Sequence, residues 1–344
     1  MSPAGANSTL SLLRWMRRLA IAGVVLCFVV VVLGAYVRLT AAGLGCPDWP
    51  GCYGHLSPVG AASSAAGDSA YAGRPLEAGK AWREMIHRYA AGSLALIIVA
   101  ITVLAVRGRR ARVVSVTFAL TLLATVLVQA LLGMLTVTWQ LKPLVVTLHL
   151  LFGMTTLALL WWLTLSLPVS SWSSASLSSA GRTALGGGAS PLNAARQLVL
   201  LGLAALIVQI ALGGWTSSNY AAVACPDFPT CQHAWWPHAD FRNAFVGGVL
   251  ANPARVAIHF THRLGAVVAS LALGLAALFV LRHRGLAAAR PRAGALLAAL
   301  ALQLGIGISM VLKGFPLPLA TAHTAGAALL LLATLALLRA LRAR

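Results

Sequence analysis

The chain has 344 residues, of which 59% are hydrophobic and only 9% charged, with a formal net charge of +20. So little polar surface excludes a water-soluble globule and makes an integral membrane protein with lipid as its surroundings. The charge does not make a nucleic-acid binder, because the arginines stand in short clusters between apolar runs and form no basic face, so no nucleic acid is expected as a partner.

Eight apolar runs, at 19–37, 86–106, 113–137, 143–167, 197–213, 256–281, 293–311 and 319–338, are long enough to cross a bilayer as helices. None alternates polar with apolar as a spanning strand would. Arg14, Arg17 and Arg18 precede the first run and give it the look of a signal peptide. The run is longer than a signal core and its end matches a later helix, so it is kept as the first span. Orientation follows from charge. With the N-terminus inside, Arg14, Arg17, Arg18, Arg107, Arg109, Arg110, Arg112, Arg182, Arg196, Arg282, Arg284, Arg290, Arg292, Arg339, Arg342 and Arg344 all face the cytoplasm, with no acid among them. Both termini are expected in the cytoplasm of a bacterial cell, with the protein in its plasma membrane.

The first run ends in Gly34-Ala35-Tyr36 and leads to Cys46-Pro47-Asp48-Trp49-Pro50-Gly51-Cys52; the fifth ends in Gly213-Gly214-Trp215 and leads to Cys225-Pro226-Asp227-Phe228-Pro229-Thr230-Cys231. Gly34 and Gly213, Cys46 and Cys225, and Cys52 and Cys231 all stand 179 residues apart. His87 matches His262 at an offset of 175, while Gln129, Gly133, Thr147 and His149 match Gln303, Gly307, Thr321 and His323 at 174. The chain is therefore a tandem duplication. Each copy contributes an even number of spans, so both copies have the same orientation. The expected fold is an all-α membrane protein in which two tandem four-helix bundles are related by a pseudo-two-fold along the membrane normal. The units are 1–169 and 196–344. Residues 170–195, rich in Ser, Gly and Ala, read as a flexible cytoplasmic linker. The outer loop 53–82 has a small-residue tract at 61–67, expected to be mobile, and the second outer loop carries Trp235, Trp236 and Phe241, suited to the membrane interface.

Four histidines, His87, His149, His262 and His323, fall inside or at the mouths of spans, toward the outer leaflet. Within each half, two imidazoles at similar depth on two helices of one bundle can clamp a planar metal ring from both sides, which points to bis-histidine haem ligation. A lone intramembrane histidine more often bonds a neighbouring helix. Four at repeat-matched places favour ligation, since each needs a partner at that depth. Zinc is weaker, because no third or fourth ligand recurs.

Glu84 shares a helix face with His87, and Arg88 is its i+4 neighbour. An interfacial ion pair with Arg88 is one role; a carboxylate that takes protons or positions water beside a reacting group is the other. The matching residue in the second half is His259, so the copies kept their candidate ligands and diverged at the neighbouring acid-base group. Arg38, Arg88, Arg255 and Arg263 lie near the outer interface, where they can meet haem propionates or lipid headgroups. Cys46 with Cys52 and Cys225 with Cys231 lie on the oxidising side, where one structural disulfide per loop is expected and a redox role for Cys46 and Cys52 stays open. Cys27 lies in the first span as packing.

The segments G-A-Y-V-R-L-T, C-P-D-W-P-x-C, E-M-I-H-R, G-G-W-T-S-S-N-Y, I-H-F-T-H-R and A-H-T-A-G, in this order, resemble the haem A synthase family, membrane enzymes that complete the haem of terminal oxidases. The resemblance covers nearly the whole chain except the linker and parts of the outer loops. It implies oxidation of the C8 methyl of haem O to the formyl group of haem A through hydroxylated intermediates. It also implies a substrate-haem site at His87 and His149 with Glu84 as catalytic carboxylate, and a haem b cofactor on His262 and His323. The implied partners are haem O, a haem O synthase and an electron acceptor such as a quinone, with homo-oligomers open. A membrane electron carrier with two b haems is the alternative. It has no need of the Glu84 and His259 asymmetry. A repeat-built transporter would break helices at the midplane, which these runs do not.

Overall fold

The structure is a computed structural model and describes residues 3–67, 69–71, 73, 75–111, 113–167, 191–246 and 249–342. Eight long helices carry the chain: α1 (Pro3–Leu39), α2 (Ala78–Arg107), α3 (Val116–Thr138), α4 (Pro143–Ser166), α5 (Pro191–Ser218), α6 (Asn252–Arg282), α7 (Arg290–Leu312) and α8 (Leu317–Ala340). All eight are long and apolar enough to span a membrane. No strand occurs among the described residues. Start signals are local. Ser115 caps α3 by accepting from the Phe118 amide at 3.4 Å, and prolines occupy the first turns of α4, α6, α7 and α8, where a missing N–H costs nothing.

Within the first half each helix packs on its chain neighbour and α1 closes the ring against α4; the second half repeats this with α5 closing on α8. Between the halves, α1 meets α8, α4 meets α5, and α4 meets α8. Exchanging the halves converts the first of these contacts into the second and leaves the third unchanged. Polar bonds cross the seam as well: Trp161 Nε1 donates to the Leu332 carbonyl at 2.9 Å, and Arg38 Nη2 donates to the Ser217 carbonyl at 3.0 Å.

The apolar core is displaced toward one end of the molecule. It runs through Met16 to Cys27 of α1, Leu94 to Ala105 of α2, Met154 to Leu163 of α4, Leu273 to Val280 of α6 and Ala328 to Leu341 of α8. The histidines lie at the other end, in the opening turns of α2, α4, α6 and α8. Close packing thus holds the helices together on one side and leaves the histidine side to polar groups and glycine.

Three expectations need revision or restriction. The small-residue tract taken as mobile is a short helix, Ala61–Gly67. It follows a helical turn capped by Ser57, whose hydroxyl accepts from the Val59 amide at 3.3 Å, and alanine dominates it. The last residues of the stretch read as linker, 191–195, belong to α5, which starts on Pro191. Residues 170–190 of that stretch lie outside the described residues.

Candidate haem-binding sites

In the first half Glu84 is only 4% exposed. Its Oε2 accepts from the Cys46 amide at 2.9 Å and its Oε1 from Arg88 Nη2. A buried carboxylate needs such donors, and here they come from the disulfide loop and from one turn along the same helix. Arg88 Nη1 in turn donates to the carbonyls of Asp48 (2.9 Å), Pro50 (3.3 Å) and Gly51 (2.5 Å). The loop is folded for this. Cys46 and Cys52 are disulfide-bonded, and Asp48 accepts from the amides of Tyr53 (2.6 Å) and Gly54 (2.8 Å). Glu84, Arg88 and the Cys46–Cys52 loop form one hydrogen-bonded unit.

The second half builds the same unit with different chemistry at its centre. Arg263 donates to the carbonyls of Thr230 (2.7 Å) and Cys225 (2.9 Å), and its Nε donates to His259 Nε2 at 3.3 Å. Cys225 and Cys231 are disulfide-bonded, and Asp227 accepts from the amides of Gln232 (2.6 Å) and His233 (2.9 Å) and from the Thr230 hydroxyl. Desolvation pushes the Asp227 carboxyl upward, but these hydrogen bonds outweigh it and pull it from 3.8 down to about 2. His259 is 4% exposed, with its ring edge-on to Phe315 at 6.2 Å.

The four candidate ligands are half-buried, and each faces a glycine on the preceding helix. A Cβ on Gly34 would stand 3.0 Å from His87, one on Gly133 3.3 Å from His149, one on Gly213 3.2 Å from His262, and one on Gly307 3.0 Å from His323. His262 and His323 are brought together, with ring centres 6.5 Å apart. Two imidazoles that hold one metal ion from opposite sides, with metal–nitrogen bonds of about 2 Å, put their ring centres roughly 6 Å apart, so this pair fits a single iron. His87 and His149 stand at the corresponding places of the first half. Among the described residues no three His, Cys, Asp or Glu side chains converge.

The arginines divide. Arg88 and Arg263 spend their donors on loop carbonyls. Arg38 bonds main-chain carbonyls of α5 and stacks on Tyr220 at 4.3 Å, yet keeps a buried Nε with no partner; Arg255 also has such an Nε. The glycines facing the imidazoles, and the glutamines described below, escaped the sequence reading as functional groups. Their repeat-matched spacing to the histidines was the available signal.

These features define an eight-helix membrane protein whose two sequence-matched halves each carry two histidines in spans and a disulfide loop. The profile of the COX15-CtaA family, cytochrome oxidase assembly protein, matches residues 17–335, and the chain belongs to that family. It is 40% identical over 334 residues to a heme A synthase of Shewanella oneidensis, covering 93% of this chain and 94% of that one. A heme A synthase of Chelativorans sp. is 29% identical over 349 residues, covering 92% and 88%. One of Caulobacter vibrioides is 31% identical over 130 residues, or 38% and 37% of the two chains.

Proposed function

We propose that the protein is a haem A synthase, which oxidises the C8 methyl of haem O, through hydroxylated intermediates, to the formyl group of haem A. The observation that carries this reading is the asymmetry between two otherwise matched sites: a buried carboxylate, Glu84, stands beside His87 where the second half has His259. In the first half, His87 and His149 receive haem O as substrate. Glu84, held by Arg88 and the Cys46 amide, is placed to take protons as the methyl carbon is oxidised or to orient water toward it. Its hold by two donors fixes the carboxylate against the disulfide loop instead of leaving it to swing.

In the second half, His262 and His323 would hold haem b, which when bound supplies reversible one-electron transfer. His259 is neutral-capable and aromatic-packed, suited to a site that conducts electrons without handling substrate protons. Arg38 and Arg255 are the better placed of the four arginines to meet propionates, since Arg88 and Arg263 already clasp the loops. With the arginine-rich ends of the helices in the cytoplasm, both sites face the outer side of the plasma membrane, and electrons pass on to an acceptor such as a quinone. Haem O arrives from a haem O synthase in this scheme.

The test is pigment extraction from membranes of cells that make haem O and this protein. Haem A is expected. Glu84→Gln should cut its yield by roughly 10²- to 10⁴-fold, the usual contribution of a positioned acid-base group, while the bound b-type spectrum persists. Undiminished haem A from that variant would remove Glu84 from the chemistry.

A further inference from the structure

Three of the four candidate ligand imidazoles are clasped by a glutamine, and the fourth is not. On α3, α5 and α7 the glycine that faces the imidazole is preceded by a glutamine at i−4: Gln129 before Gly133, Gln209 before Gly213, and Gln303 before Gly307. Residues four apart share a helix face, so the ring lies against the glycine and the carboxamide reaches it from the next turn. Gln209 Nε2 lies 3.0 Å from His262 Nδ1 and also donates to the His262 carbonyl at 3.0 Å. Gln129 Nε2 lies 3.4 Å from His149 Nε2 and donates to the His149 carbonyl at 2.9 Å. Gln303 Nε2 lies 3.3 Å from His323 Nδ1. In all three the Oε1 atom is buried without a partner. A buried amide oxygen left without a hydrogen bond is costly. The recurrence of the same glutamine at three sites is explained if its carboxamide has a use, which holding the imidazole ring in a set orientation supplies.

On α1 the corresponding residue before Gly34 is Val30. The change is concerted across the helix pair. The Gln209 amide is seated against Gly265 on α6, and the residue of α2 matching Gly265 is Ala90, which carries a methyl where Gly265 has none. The His87 ring lies against Gly34 and the main chain of Val30, and no carboxamide bonds it; its Nδ1, like that of His149, is buried with no partner among the described residues.

We propose that Gln129, Gln209 and Gln303 are positioning residues that lock His149, His262 and His323, and that Val30 with Ala90 makes His87 the exchangeable ligand of the set. This rests on the haem-binding reading above and adds to it a route for turnover. A cofactor haem is to be retained, and both of its imidazoles are clasped. A substrate haem must enter and leave, and one of its two imidazoles has no glutamine to hold it.

The test is carbon monoxide binding to the reduced, haem-loaded protein, read by optical difference spectra, with the ferric low-spin signal followed in parallel by electron paramagnetic resonance. Native protein should bind carbon monoxide at the first-half haem only. Val30→Gln combined with Ala90→Gly should slow that binding about tenfold or more, within the 10- to 100-fold range found when an outer partner of a ligating histidine is changed. The reverse change, Gln209→Val, should open a second reactive population and alter the low-spin signal of the second half. Gln303→Leu, on another helix, is an independent arm with the same expectation. Equal carbon monoxide binding in native protein and Val30→Gln/Ala90→Gly, or unaltered second-half signals in both glutamine variants, would overturn the assignment. A native protein that takes up no haem at all would instead overturn the functional reading beneath it.

Discussion

The two halves put the same parts at the same end of the molecule: a pair of imidazoles on facing helices, glycines against them, and an arginine that ties a disulfide loop to the helix below. Arg88 bonds the carbonyls of Asp48, Pro50 and Gly51, and Arg263 those of Cys225 and Thr230. Among the places where they part are Glu84 against His259 and Val30 against Gln209. What a duplication keeps is what both copies need mechanically; what it changes marks where the copies do different work. Both changes lie around one imidazole, His87: Glu84 three residues before it on α2, and Val30 on α1, where the ring meets the main chain. The half that we assign to substrate has gained a carboxylate and lost an amide clasp.

The largest expected break in the comparison is at the ligands. His262→Ala or His323→Ala should abolish the bound b-type spectrum of the second half, whereas His87→Ala should leave it in place. Reduced-minus-oxidised spectra of the purified variants decide this, and full retention in both second-half variants would remove them as ligands.

Next in size is the arginine clasp. Arg88→Ala leaves the buried Glu84 carboxylate without its charged partner, which should cost about 3–5 kcal/mol of stability. Arg263→Ala leaves a neutral imidazole and loop carbonyls short of a donor, with an expected loss of about 1–3 kcal/mol. Unfolding in detergent should therefore separate two substitutions that look equivalent in sequence. Equal losses would mean that Glu84 is not held as a charge.

Smaller again is the effect of the disulfides. Removing either bond, by Cys52→Ser or Cys231→Ser, should cost about 2 kcal/mol, toward the low end for a native disulfide because each loop is short. Haem A output should fall further for the first, since the Cys46 amide holds Glu84. The smallest effect is on pH. The Asp227 carboxyl is held at about 2, below its ordinary 3.8, so its contribution is present above pH 3.8 and is lost as pH falls toward 2. Hydrogen exchange at the Gln232 and His233 amides should accelerate across that window, and constant protection through it would contradict the Asp227 contacts.

Much of this site was legible before any coordinates. The four histidines, Glu84 and the paired cysteines stand out because they recur, or fail to recur, at constant offsets. The role of the arginines was not legible. They bond main-chain carbonyls, which every residue carries, so no side-chain signature marks the partner. The glutamines were half visible: Gln129 and Gln303 match each other at 174, but the counterpart of Gln209 is Val30, and a missing match draws no notice until the ring it should touch is seen.

The sequence by itself determined the eight spans and the duplication, because hydropathy and spacing are properties of the chain read in one dimension. Tertiary structure alone decided that the largest packed core lies at the end away from the histidines, that Arg88 and Arg263 serve the loops, and that glutamines reach three of the imidazoles. Those outcomes depend on distances between residues far apart in the chain, such as Gln209 and His262, 53 positions apart yet 3.0 Å from amide to ring. A hydrogen bond forms or fails within a few tenths of an ångström, and only the folded arrangement of the helices sets that distance.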